Sequence, residues 1–309
     1  MATDTTAKTP AEGRVDIEAP RRRRRHGSWR ATTGLLAAPT IWLIVFFAAP
    51  VLMVGLYSVG LLTLLRLDDY LSLEHWQFFF TSNTYLGLFW KSVRMSLGVS
   101  ITAVLIAYPV AYLLALIAGT RKYTLLLVII VPFLTSYLLR VLAWRVILNP
   151  QGMVHSFLRS LNVLGPEQQI DWMYNSTFAI YLVLSYVWVP FVALPIFVSL
   201  ESLDHHMLEA SSDLGASRLR TFLTVTLPLS LPGVAAGFIF VFIPTIGEYV
   251  TPQLVGGPGG FMFGSAINSA FTAGLDWQFG SAMAMFLIFA VAVLLAVFGR
   301  FLDVRSVAE

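Results

Sequence analysis

The sequence predicts an all-α, polytopic membrane protein with six transmembrane helices, and three observations carry that prediction. Hydrophobic residues make up 57% of the 309 residues and charged residues only 12%, whereas an average soluble domain is about 25% charged. The apolar residues are gathered into runs of the length that crosses a bilayer, about 20 residues. Lysine and arginine fall mainly on one side of those runs, which is the pattern that fixes orientation.

The chain begins with a polar stretch, 1–33, that carries Arg21 to Arg25. It holds too few apolar residues for a core, so it reads as a disordered basic tail. An arginine run suits nucleic acid, a twin-arginine export signal or anionic lipid. His26-Gly27-Ser28-Trp29 is not the sequel a twin-arginine signal needs. A cytoplasmic topology signal lying against membrane lipid, with no nucleic-acid partner, is the reading adopted. The transmembrane domain then occupies 34–305.

Its first run, Gly34 to Val59, is too long and too far along for a secretory signal. Further runs are Ser92 to Ala118, Tyr123 to Leu148, Phe178 to Leu200, Leu229 to Val250 and Ser281 to Phe301. Pro109, Pro132, Pro190 and Pro195 lie inside these runs, where neighbouring helices can satisfy the carbonyls that proline frees. With the N-terminus inside, the inner segments hold Lys8, Arg14, Arg21 to Arg25, Arg30, Arg121, Lys122, Arg218, Arg220, Arg300 and Arg305. The outer side holds fewer, among them Arg66, Lys91, Arg94, Arg140, Arg145 and Arg159. Both termini are therefore expected in the cytoplasm. Segments 60–90, 149–177 and 251–280 become outer loops, and the run Gly256-Gly257-Pro258-Gly259-Gly260 reads as a flexible one.

Enzyme chemistry finds no footing. The absence of cysteine removes thiol catalysis and thiolate metal sites. His26, His75, His155, His205 and His206 all lie outside the apolar runs, so no metal or proton-relay site is expected within the spans. Lys8, Lys91 and Lys122 follow Ala, Trp and Arg, which rules out the Gly-Lys-Ser/Thr that holds phosphates in a P-loop. No catalytic residue, metal or cofactor is assigned to this chain.

The one ordered polar interruption in the second half is 201–228, which contains EASSDLGASRLRTFLTVTLP. Glu209 and Asp213 share a helix face, Gly215 permits a tight turn, and Leu208, Leu214 and Leu219 supply apolar contacts. The expected form is a helix-turn-helix. An amphipathic helix lying on lipid would be basic, but Glu201 to Asp213 is acidic, so a protein-docking loop is the better reading.

Glu209-Ala210-Ser211, Gly215, Val225 and Leu227-Pro228 keep the spacing Glu-Ala-Ala, Gly, Ile, Leu-Pro. That pattern resembles the signature of binding-protein-dependent ABC importer permeases, with Ser and Val as mild replacements. The resemblance extends over roughly 35–305. Val131-Pro132-Phe133-Leu134-Thr135 with Arg140 looks like the spermidine/putrescine branch, most closely the first permease of the pair in its putrescine type. So do Gly247-Glu248-Tyr249-Val250, Gly256-Gly257-Pro258 and Asp276-Trp277. The resemblance implies a type I importer permease fold in a bacterial inner membrane, and ATP-driven polyamine uptake by alternating access. It also implies an ABC ATPase dimer carrying ATP and Mg, a second permease of different sequence and a periplasmic binding protein. Glu209, Ala210, Ser211, Asp213, Gly215, Leu227 and Pro228 would then couple to the ATPase. The same architecture serves opines, aminophosphonates or ferric iron. A secondary transporter would need intramembrane carboxylates or inverted repeats, and only Glu248 is present.

Charges inside a span are usually functional or paired. Glu248 and Tyr249 are expected at the outer end of the fifth span, with Arg140 in the third and Trp188 in the fourth. Glu248 could receive a substrate ammonium, with Tyr249 or Trp188 adding cation–π attraction. Equally, it could form a fixed pair with Arg140. Asp276-Trp277 would either meet the binding protein or cap the last helix.

Overall fold

The structure, a computed structural model, describes residues 36–37, 39–63, 66–67, 71–165 and 168–306. The basic tail with Arg21 to Arg25 lies outside them, as do Asp68, Asp69 and Pro166 of the expected outer loops. The chain divides after Val51 into two compact units. The first contains the start of helix α1 (Pro39–Ser58), which carries a π-helical turn at Ile44–Ala48.

The second unit holds the rest. A two-residue antiparallel pair, Leu62–Thr63 with Arg66–Leu67, follows α1. Then come α2 (Glu74–Thr81), α3 (Asn83–Ile117), α4 (Gly119–Leu134), α5 (Tyr137–Leu148) and α6 (Met153–Ser160). They are followed by α7 (Thr177–Glu201), α8 (His205–Asp213) and α9 (Arg218–Ile246). The last three are α10 (Val250–Val255), α11 (Phe263–Thr272) and α12 (Trp277–Ser306). Among the described residues, α1, α3, α7, α9 and α12 are long and apolar enough to cross a membrane. A sixth span results when α4 and the 137–160 stretch are taken together, and they meet at a bend of 82°.

That bend corrects the expectation of one straight span from Tyr123 to Leu148. Pro132 cannot donate to the preceding turn, and Val131–Leu134 tightens into a 3-10 helix. Thr135 and Ser136 then turn extended, with ψ of 157° and 132°. Composition alone does not show this, because the apolar run continues across the break.

The main core is built on α3, α7 and α9. In lipid there is no hydrophobic drive between helices, so close packing of small residues does the work. On α3 the buried stripe is Ser92, Ser96, Ser100, Ala103, Ala107 and Ala111. On α9, a Cβ at Gly233 would stand 2.4 Å from the Ser199 Cβ and 2.6 Å from the Pro195 carbonyl of α7. A second, aromatic core joins α2, α3, α11 and α12 through Phe79, Phe89, Phe263, Phe279 and Met283.

The glycine run 256–260 is held in place rather than left as a flexible loop. Gly257 has φ +56°, and a Cβ there would lie 2.4 Å from the Asn175 carbonyl; at Gly256 it would meet Ile180 at 2.6 Å. Lys91 donates to the Gly259 and Phe261 carbonyls at 2.5 and 2.9 Å. Helix α11 also lies inside what the sequence suggested was loop. Asp276 caps α12, accepting from the Phe279 amide at 2.9 Å.

Candidate functional site

The polar interruption 201–228 forms the expected helix-turn-helix. Asp204 starts α8 by accepting from the His206 amide at 2.9 Å, which satisfies one of the donors that every helix start leaves free. Helix α8 closes at Gly215, whose φ is +78°. Its amide bonds the Ser212 carbonyl at 2.9 Å, and the Ala216 amide bonds the Ser211 carbonyl at 3.1 Å. A residue with a Cβ is strained in that left-handed conformation. Ser217 then caps the first turn of α9, accepting from the Arg220 amide at 3.4 Å. The Ser211 and Thr221 hydroxyls, 3.0 Å apart, tie the two helices together.

The sequence-selected residues fall into two sets here. Glu209, Ala210, Asp213 and Gly215 are exposed, and Ser211 is half-buried between the helices. Glu209 lies 3.5 Å from His206 on the same helix face, its one ion-pair partner among the described residues. Leu227 and Pro228 lie after a π-helical turn, Phe222–Thr226, inside the continuous helix that becomes the span. The expected span Leu229 to Val250 is thereby corrected at both ends, since α9 runs from Arg218 to Ile246. π-Helical turns of this kind cluster at functional places in helices. Phe222 is packed edge-on by Tyr108 and Tyr112 of α3, at 5.8 and 5.9 Å. The Tyr108 hydroxyl bonds Ser230 at 2.8 Å.

The outward side of this loop is apolar. Leu214 is 89% exposed and Leu219 68%. Between the two helices runs a groove of about 550 Å³ lined by Met207, Ala210, Leu214, Ala216 and Val225, with Arg220 at its side. Leucines held outward on a short, capped turn form an exposed apolar patch, a feature that marks interaction sites.

The second candidate set gathers where α9 ends. Gly247 follows Ile246, so Glu248 and Tyr249 lie beyond the helix rather than within it. Glu248 turns back and accepts from the Thr251 amide at 3.0 Å. The Thr251 hydroxyl bonds the Tyr137 hydroxyl at 2.5 Å, which brings the start of α5 to α10. Arg140, one turn along α5, stacks over Phe133 at 5.2 Å, and its Nε and Nη1 are buried with no hydrogen-bond partner among the described residues. Tyr137 lies in the field of both Glu248 and Arg140. The two charges form no ion pair within 4.0 Å, so the fixed Glu248–Arg140 bridge is absent. Tyr249 is 41% exposed. Trp188 packs on Phe191 and Phe240 at 5.7 and 6.3 Å, and its Nε1–H is buried with no hydrogen-bond partner among the described residues. Thr251 belongs to a stretch that resembles the polyamine branch, but its pairing with Tyr137 is not visible in the sequence, because nothing local joins residues so far apart in the chain.

Residues 107–306 match the family model described as "Binding-protein-dependent transport system inner membrane component". The chain belongs to this family. It is a multi-pass inner-membrane permease component of an ABC importer. The spermidine/putrescine transport system permease protein PotB of Haemophilus influenzae is 32% identical over 262 residues, covering 84% of this chain and 90% of that protein. The inner membrane ABC transporter permease protein YdcU of Escherichia coli K12 is 31% identical over 274 residues, covering 85% and 87%. Among solved structures, a bacterial ABC transporter involved in import of the acidic polysaccharide alginate superposes with a TM-score of 0.68. It is 15% identical and covers 88% of this permease and 94% of its own chain. The inward-facing MetNI methionine ABC transporter gives a TM-score of 0.54 at 18% identity, covering 72% and 99%. At those identities the likeness is one of fold, and the fold is that of ABC importer permeases.

Proposed function

We propose that this permease carries polyamines, putrescine or spermidine, inward across the membrane, driven by an ATPase that docks on α8 and the turn after it. The single observation that carries the docking is the rigid Gly215 turn presenting Leu214 at 89% exposure beside an apolar groove. The polyamine assignment is supported by permeases about one-third identical whose names specify spermidine/putrescine transport. In this reading both termini and the docking loop face the cytoplasm, in line with the lysine and arginine bias.

The full assembly is two permeases of different sequence, an ATPase dimer holding ATP and Mg, and a binding protein outside; the chain itself uses no cofactor. ATP binding draws the two docking loops together, the permease pair opens to the loaded binding protein, and hydrolysis resets it. Glu209, Ala210, Ser211, Asp213 and Gly215 form the contact, and Leu227 and Pro228 pass its motion into α9. Glu248 receives a substrate ammonium at the end of α9, with Tyr249, Trp188 and Arg140 along the same path. An ammonium is attracted to a carboxylate that is held by neutral groups, the Thr251 amide and the Tyr137 hydroxyl, rather than by an opposite charge, and weak, brief binding lets the cargo leave again.

One observation favours a second cargo class. The free guanidinium nitrogens of Arg140 suit a substrate that also bears an anionic group, such as an opine or an aminophosphonate. The test has two arms. L214D is expected to insert normally but to lose the co-purifying ATPase; retention of the ATPase sinks the docking assignment. Calorimetry of the partner binding protein is expected to show putrescine or spermidine binding. Binding only of an amine that carries an acid group overturns the polyamine assignment and leaves the permease assignment intact.

A further inference from the structure

One charged cluster stands at the root of the docking loop, where α7 ends, and away from the path. Glu201 is the last residue of α7, three residues before the Asp204 that caps α8. Its Oε1 receives the Lys122 ammonium at 2.7 Å and the Tyr123 hydroxyl at 2.6 Å. Lys122 also sits over the Tyr123 ring at 5.2 Å, and that ring packs edge-on against Phe197 of α7 at 6.3 Å. The lysine and glutamate side chains are 27% and 25% exposed, so water screens them less than it screens a fully open pair.

The cluster stands at the foot of α4. Gly119, with φ +55°, turns the chain sharply into that helix. From Lys122 to Ile130 no residue is fully buried. Leu126 and Ile129 rest on the core, while Leu125, Leu127 and Val128 face outward. At its far end Phe133 meets Tyr186 at 5.4 Å and carries Arg140 on its ring. A loosely packed, helical arm is thus held by a charged clamp beside the docking helix. Its other end reaches the Arg140 and Tyr137 side of the broken span.

We propose that Glu201 is a positioning residue for energy coupling: it clamps Lys122 and Tyr123, so that displacement of α8 moves α4 and, through it, the break at Thr135–Ser136. This rests on α8 being the ATPase-docking helix. A short element fixed at two ends is the kind of contiguous connection through which such coupling can travel, and only measured coupling establishes it.

The experiment uses the complete transporter in proteoliposomes, with putrescine as the probe. Uptake and ATP hydrolysis are measured in the same vesicles, and ATP hydrolysis is also measured with and without the binding protein. E201Q and K122M are expected to retain the ATPase on purification and to lose uptake per ATP by about fivefold or more. Stimulation of hydrolysis by the binding protein should fall in parallel. The exchanged pair K122E/E201K should restore most of both. Wild-type ratios in E201Q and K122M overturn the proposal. So does failure of the exchange to rescue, with melting temperatures falling in step, because the pair is then only structural. Loss of the ATPase in the single variants also overturns it, since Glu201 would then belong to the docking surface. If wild-type vesicles take up no putrescine, the polyamine reading fails, and stimulation by the binding protein still decides the clamp.

Discussion

Gly215 separates two reasons a glycine can matter in a docking loop. Its φ is +78°, so any residue with a Cβ pays about 1–2 kcal/mol of left-handed strain there, and asparagine pays less because it visits that region more readily. Nothing lies within 4 Å of the position a Cβ would take, so a side chain meets no clash inside the permease. Strain of that size is a minor part of the roughly 5–15 kcal/mol that holds a domain folded. A tryptophan would project instead into the space a docked ATPase occupies. Losing about 2 kcal/mol of docking energy weakens binding about thirtyfold. The expected order is therefore G215N close to wild type, G215A slightly less heat-stable but still docked, and G215W inserted but without ATPase. The assay is ATPase retained per permease on affinity purification, with ATP-driven putrescine uptake measured alongside. Retention by G215W at the wild-type level refutes the reasoning. A loss in G215A as deep as in G215W also refutes it, since strain rather than occupied space would then be the cause.

Two further outcomes follow from the geometry. E248Q keeps an oxygen for the Thr251 amide, bonded at 3.0 Å in the wild type, but loses the charge, so the complex should assemble normally. Putrescine uptake should fall about tenfold, the size of a hydrogen bond to a charged group, and unchanged uptake removes Glu248 from the path. G233A forces a Cβ to within 2.4 Å of Ser199 and 2.6 Å of the Pro195 carbonyl, an overpacking that costs about 1–3 kcal/mol. It should lower the melting temperature of the purified complex, whereas G87A, where a Cβ meets nothing within 4 Å, should not; equal effects would show that the α7–α9 approach is not the cause.

The spans were legible because lipid imposes one rule on every crossing helix: about 20 apolar residues in a row. The helix-turn-helix was legible because Gly215 and the leucines around it act within a few residues of one another, whereas the Ser217 cap was not picked out. What was hidden is what depends on distant partners. The apolar run over Tyr123 to Leu148 does not reveal a break, since Thr135 and Ser136 end the helix without interrupting the hydrophobicity. Gly256 and Gly257 look like loop glycines until Ile180 and Asn175 stand against them. Helix α11 packs Phe263 and Ala266 into an aromatic core whose other members come from α2, α3 and α12. The clamp joins Lys122 to Glu201, residues that no local pattern connects.

The separation of Glu248 from Arg140 bears on how such a path could work. Had they paired, a passing amine would have to break a shielded ion pair, and breaking one by removing a partner costs about 3–5 kcal/mol. Unpaired, each charge leans on something weaker. Glu248 is held by the Thr251 amide and the Tyr137 hydroxyl, and Arg140 rests on the Phe133 ring. The carboxylate can then exchange its cargo without rebuilding the helices around it. In that proposed path the Arg140 guanidinium would keep the local potential from becoming so negative that a polyamine is trapped. In the proposed path the arginine is what makes binding at Glu248 brief, and its seat on Phe133, at the break in the third span, ties that effect to the arm that Glu201 holds at its other end.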